Sequence, residues 1–260
     1  MSYSESTVTV AGCATRLMRG GSGSPLMFLH GANGAPVWLP FMEALAADFD
    51  VIVPEHPGFG GSEAPGWLDN IGDLAYFYLD LIDHLGLDRV NLVGQSIGGW
   101  VAAELAVRNS TGLNRLILSG PSGIYVKGVP RADTFLWSPE ETLRNLVNDQ
   151  SIADRMLAAP VTDEGQMTLL KNRLTTAKLA WQPRFYNPDL HKWLHRISVP
   201  TLIVWGADDR LIPAAYGPEY RKLIPGARLE VFADCGHLPF VEKTDAFVAL
   251  VTGFIREAAP

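Results

Sequence analysis

The chain has 260 residues, 47% of them hydrophobic, which is enough to bury one large core in a single domain. A net charge of -7 with no dense Lys/Arg run excludes a nucleic-acid footprint and disfavours an anionic membrane surface, because both need clustered positive charge. Cys13 and Cys235 are the only cysteines, so no disulfide framework is expected and a reducing cytoplasm is the predicted compartment.

In chain order, 7–10 alternates polar with apolar residues, and 14–18 could pair with it as an antiparallel edge hairpin. The first 19 residues carry no basic stretch leading into an apolar core, and no run approaches the roughly eighteen residues of a membrane span, predicting a soluble, unexported chain. Six short runs rich in Val, Ile and Leu follow, at 26–29, 51–53, 90–93, 116–118, 202–205 and 229–232. Each is bounded by Gly or Pro and followed by a longer helical pattern, the signature of an α/β fold on a parallel sheet with strands buried on both faces. Crossover helices are expected over 38–49, 74–87, 99–108, 216–224 and 241–255. The alternation breaks between 123 and 196, where 140–146 and 167–179 read as helices. This predicts a core of 1–122 and 197–260 carrying a helical lid, 123–196, after the sixth strand.

The chemistry-bearing residues cluster where strands end. Gly94-Gln95-Ser96-Ile97-Gly98 follows a predicted strand and opens a predicted helix, the context of a nucleophile elbow, in which side chains two residues either side of the serine would collide with backbone. His30-Gly31-Ala32-Asn33-Gly34 leaves the strand at 26–29, which a parallel sheet would place beside that elbow. Backbone N–H groups of Ala32 and Ile97 are the expected oxyanion donors, Ile97 gaining from its place at a helix start.

Six histidines compete for the role of base. His237 follows the last strand, whereas His84 falls on a helix face, His30 in the oxyanion turn and His56 in a loop. His191 and His195 could share a helical face, but no third ligand accompanies them, so no metal is expected. Asp208 and Asp209 both end the penultimate strand, and either carboxylate could orient the imidazole.

The order Ser, Asp, His, together with Pro54-Glu55-His56-Pro57-Gly58-Phe59-Gly60-Gly61-Ser62, Gly206-x-x-Asp209-x-x-x-Pro213 and Gly236-His237, resembles the α/β-hydrolase superfamily across nearly the whole chain. The resemblance implies a mostly parallel eight-stranded sheet flanked by helices with an inserted helical lid, and the triad Ser96, Asp209 and His237. Ser96 argues against the branches whose nucleophile is Asp. Within the superfamily the chain is similar to small bacterial carboxylesterases and to hydrolases of carbon-carbon bonds in aromatic ring-fission products. The latter typically carry Trp after the catalytic His, where this chain has Leu238, and a lid Arg that holds the substrate carboxylate.

The expected activity is cleavage of a small carboxylic ester or related acyl substrate through an acyl-enzyme on Ser96, with no cofactor. Carbon-carbon bond hydrolysis is the alternative, and a ligand receptor on the same fold is the alternative of another class. Phe135, Trp137, Trp181, Phe185, Tyr186 and Trp193 could cover an apolar pocket, and Asn33, Trp137, Trp181 and Leu238 are the expected substrate contacts. Residues 125–196 hold ten Lys/Arg against eight Asp/Glu, the remainder eleven against twenty, so the lid could draw in a substrate carboxylate. The expected partner is that small acyl substrate; a homodimer is compatible with the sequence.

Overall fold

The computed structural model describes residues 3–258; Met1, Ser2, Ala259 and Pro260, which the sequence reading assigns to the core, lie outside them. Eight strands form one sheet: β1 (Tyr3–Val10), β2 (Cys13–Gly21), β3 (Ser24–Leu29), β4 (Phe49–Pro54), β5 (Val90–Gln95), β6 (Leu113–Ser119), β7 (Thr201–Gly206) and β8 (Arg228–Phe232), in the order β1-β2-β4-β3-β5-β6-β7-β8. The β1/β2 hairpin is antiparallel, with Val10 opposite Cys13, and β2 runs antiparallel to β4; every other pair is parallel. Central strands β5 and β7 are buried along their whole length, as continuous apolar runs require. β8 differs from the two-faced burial expected of it. It is the edge strand, and Val231 is half exposed.

The helices begin where their caps dictate. α1 spans Pro40–Leu45, shorter than the 38–49 pattern, with proline at its first position. α2 (Ile71–His84) starts three residues ahead of its apolar pattern because Asn70 and Asp73 form a reciprocal capping box. α3 (Ile97–Arg108) starts directly after Ser96. α4 (Pro139–Leu146), α5 (Gln150–Ala158), α6 (Asp163–Ala180) and α7 (Leu190–Trp193), with a 3₁₀ turn at Leu194–Arg196, occupy the segment between β6 and β7. α8 (Tyr216–Leu223) follows β7; α9 (Pro239–Glu242) and α10 (Thr244–Arg256) replace the single helix expected over 241–255, broken at the non-helical Lys243.

Helices α1, α9 and α10 pack on one another, as do α2 and α3, giving helical layers on the sheet. Phe28 of β3, Phe41 of α1 and Phe240 of α9 meet with ring centroids 4.7 to 5.7 Å apart, and burial of each ring contributes about 2 kcal/mol. This packing fixes the C-terminal ends of β3, β5, β7 and β8, from which the loops of the site project.

Candidate active site

Ser96 is the single residue between β5 and α3, with φ 56° and ψ -113°, a backbone conformation that costs about 1–3 kcal/mol for an L-residue. Two missing side chains permit the turn. A Cβ on Gly94 would lie 2.4 Å from Gly98 O, and one on Gly98 would lie 2.1 Å from Leu29 O. Two backbone bonds hold the strained residue: Ser96 N–H donates to Ser119 O at 2.9 Å, and Ser122 N–H donates to Ser96 O at 3.0 Å.

His237 stands between β8 and α9, its N–H donating to Leu146 O at 2.8 Å. Its Nδ1 lies 2.6 Å from Asp209 Oδ2, and both side chains are buried. The other oxygen, Oδ1, accepts the N–H groups of Leu211 and Ile212 at 2.9 Å each, so the carboxylate is fixed in place and Oδ2 is left for the imidazole. Asp208 is exposed, which separates the two acids that the sequence left in competition. With Nδ1–H committed to Asp209, Nε2 carries the lone pair. It is buried and has no hydrogen-bond partner among the described residues, a rare condition for a ring nitrogen and the one a general base requires.

Gly120 joins the two halves of the site. It follows Ser119, which holds Ser96, and a Cβ built on it would be 3.2 Å from His237 Nδ1 and Cε1. Ser96 and the His237–Asp209 pair therefore flank one stretch of loop. Ser96 Oγ and His237 Nε2 are not hydrogen-bonded to each other, a separation common in unliganded sites that tightens on substrate binding.

Ile97 opens α3, where an N–H has no intrahelical acceptor, and among the described residues neither it nor Ala32 donates to another protein group. A Cβ on Gly31 would lie 3.3 Å from Ser96 Cβ, so the turn carrying Ala32 abuts the elbow. His30 and His56 are buried behind this turn. His30 Nδ1 donates to Gly31 O at 2.7 Å while its Nε2 accepts the His56 N–H at 2.9 Å, and His56 Nε2 donates to His30 O at 2.8 Å. Burial pushes the His30 imidazole down to about 4 and holds His56 well below its usual value, so both are neutral framework groups.

Of the expected substrate contacts, Leu238 is buried beside His237, and Trp137 is partly buried against the core. Trp181 is half exposed and sits against Phe135, with Arg184 over its face at 4.0 Å. The Asn33 side chain is exposed, and its carbonyl accepts from Asn172 of α6. His84, His191 and His195 are exposed.

Three supports of the site escaped sequence reasoning. Glu242 accepts the N–H groups of Gly236, Asn148 and Asp149 at 2.7 to 3.0 Å, tying the His237 loop to the α4–α5 segment. Glu55, buried in the loop after β4, accepts from Gly61 and Ala35. Asn172 bridges the turn at Asn33 and the loop at Gly60. The motif Pro54-Glu55-His56 pointed at the second; for the other two, a carboxylate and an amide within ordinary helical patterns gave no signal.

Comparison with known proteins identifies the family of the fold. The profile of the alpha/beta hydrolase fold family matches residues 24–244. The chain is 31% identical over 260 aligned residues to 2-hydroxy-6-oxo-6-phenylhexa-2,4-dienoate hydrolase of Burkholderia cepacia, covering 90% of this chain and 88% of that protein. It is 32% identical to 2-hydroxy-6-oxononadienedioate/2-hydroxy-6-oxononatrienedioate hydrolase 2 of Pseudomonas putida, covering 89% and 87%. Among solved structures, the esterase RhEst1 from Rhodococcus sp. ECU1013 superposes over the full length of both chains with a TM-score of 0.78 at 24% identity, a likeness of fold. Among the described residues no helix is long and apolar enough to cross a membrane. With the sheet, the elbow and the match over most of its length, the chain belongs to the α/β hydrolase fold family.

Proposed function

We propose that this protein hydrolyses the carbon-carbon bond next to the ketone of a 2-hydroxy-6-oxo-dienoate, the substrate class in the names of the two relatives described above. The observation that carries the chemistry is the buried His237–Asp209 pair with a free Nε2 beside the Ser96 elbow. His237 takes the Ser96 proton as Oγ adds to the C6 carbonyl, and the Ala32 and Ile97 N–H groups hold the oxyanion. Because C5 is vinylic in the dienol form, the 2-hydroxyl proton moves to C5 before the attack; the C5–C6 bond then breaks, its electron pair delocalises through the C3=C4 bond onto the C2 oxygen, and that oxygen takes up the proton held by His237. Water clears the acyl group from Ser96 as a carboxylic acid, so that one water has been added across the bond. Apart from the water, the catalytic groups named in this sequence are the chain's own.

A dienoate carries a carboxylate, and the 123–196 segment, in this reading the lid, offers two cations for it. Arg131 is largely buried, its guanidinium donating to Phe185 O and reaching Ser122 Oγ at 3.4 Å; Arg173 is exposed and donates to the carbonyls of Phe135 and Trp137. Among the described residues neither pairs with a carboxylate. Hydrolysis of a neutral carboxylic ester is the second reading, favoured by Leu238 at the position after His237.

Product analysis separates the readings. With 2-hydroxy-6-oxo-6-phenylhexa-2,4-dienoate the wild type is expected to release benzoate over many turnovers, and Ser96→Ala to be slower by about a thousandfold or more. Efficient turnover of short esters with no cleavage of the dienoate would replace the first reading with the second.

A further inference from the structure

Ahead of Leu179 and Ala180, the face of α6 turned toward the core is polar where an apolar stripe would be ordinary. Lys171, Asn172 and Thr175 point inward while Met167, Leu170 and Leu174 are exposed. These three find main-chain partners on loops of the site, whereas the hydroxyl of buried Thr176 has none among the described residues. Lys171 Nζ donates to Gly60 O and Ser62 O at 2.7 Å each, and Thr175 Oγ1 donates to Gly58 O at 2.7 Å. Asn172, 2% exposed, does more: Nδ2 donates to Asn33 O at 2.9 Å while Oδ1 accepts the Gly60 N–H at 2.8 Å. Only one orientation of the amide satisfies both bonds. Asn33 belongs to the turn closed by the Gly34 N–H on Gly31 O at 3.2 Å, and that turn carries the Ala32 N–H.

We infer that Asn172 is a positioning residue for the oxyanion donor: a side chain of the 123–196 segment that sets the aim of the Ala32 N–H by gripping the carbonyl of the next residue, Asn33, in the same turn. The inference rests on the proposed role of Ala32 and Ile97. It assigns to α6 a part in the chemical step besides covering the substrate, because a helix displaced from this contact would release the turn.

The test compares Asn172→Ala, Asn172→Asp and Lys171→Met with wild type, using the phenyl-substituted dienoate as substrate, phenylboronic acid as a tetrahedral mimic and benzoate as a product mimic. Asn172→Asp keeps the acceptor for Gly60 and loses the donor to Asn33, so it isolates the contact if the alanine variant folds poorly. The expected result is a fall of about tenfold or more in kcat for both Asn172 variants with KM within threefold. Boronate affinity should weaken by a similar factor and benzoate affinity should hold, while Lys171→Met, which frees only the Gly60 and Ser62 carbonyls, stays near wild type in all four. Wild-type kcat in both Asn172 variants would overturn the inference, as would Lys171→Met reproducing their profile. Failure of the underlying reading is visible separately, as undiminished turnover by Ser96→Ala.

Discussion

Nδ1 of His237 lies 2.6 Å from Oδ2 of Asp209, and the other oxygen of that carboxylate is held by two backbone N–H groups. The acid is thus locked by the main chain before it meets the imidazole, and it fixes the tautomer that leaves Nε2 free. Asp209→Asn can keep its oxygen toward Leu211 and Ile212 and turn an amide N–H toward Nδ1, which forces the wrong tautomer. The expected loss in kcat is on the order of 10⁴, as for the same exchange in other triads, with little change in thermal stability. Asp208→Asn, at an exposed position, is expected to be silent in the same assay.

Glu242 is the sole carboxylate receiving Gly236, Asn148 and Asp149 among the described residues. Glu242→Ala removes the acceptor of three donors at the junction between the His237 loop and the start of α5, two of them, Gly236 and Asn148, partly buried. A destabilisation of about 3 kcal/mol follows, read from urea denaturation midpoints, together with reduced kcat. Unchanged stability would remove Glu242 from the framework of the site.

His30 and His56 make stability depend on pH. A buried imidazole with a folded pKa near 4 and an unfolded value near 6.5 binds its proton more readily in the unfolded chain between those limits. The stability it contributes is complete above about pH 6.5 and is lost as pH falls toward 4, amounting to about 3 kcal/mol for His30. Imidazole chemical shifts should show both rings neutral at pH 5.5. Either ring titrating near 6.5 in the folded protein would contradict the packing behind the oxyanion turn.

Arg131 and Arg173, which bond no carboxylate among the described residues, test whether the substrate is anionic or neutral. If either holds the substrate carboxylate, Arg131→Met or Arg173→Met is expected to raise KM for the dienoate at least tenfold and leave KM for a neutral phenyl ester within about twofold. Indifference of both variants toward the dienoate would count against the carbon-carbon reading.

All eight strands were legible because each central one is a continuous apolar run between Gly or Pro, and the β1/β2 hairpin because Thr7–Val10 alternates. Helix starts were less so: α3 begins at Ile97, forced by the elbow, before its apolar pattern becomes clear. α5 was not expected, since Ala153 is its single fully buried residue and leaves too thin a stripe to read. The site divides the same way. Ser96, Asp209 and His237 announce themselves by following strands with glycines at fixed offsets. Asn172 and Glu242 act through main-chain groups distant in sequence, a relation that only the packing of α6 and α9 creates.

Covalent labelling of the nucleophile tests the central claim most directly. A fluorophosphonate probe followed by peptide mass spectrometry should place one adduct on Ser96, at a rate that falls at least a hundredfold in His237→Ala. Labelling elsewhere with Ser96 unmodified, or labelling of Ser96 at full rate without His237, would contradict the account.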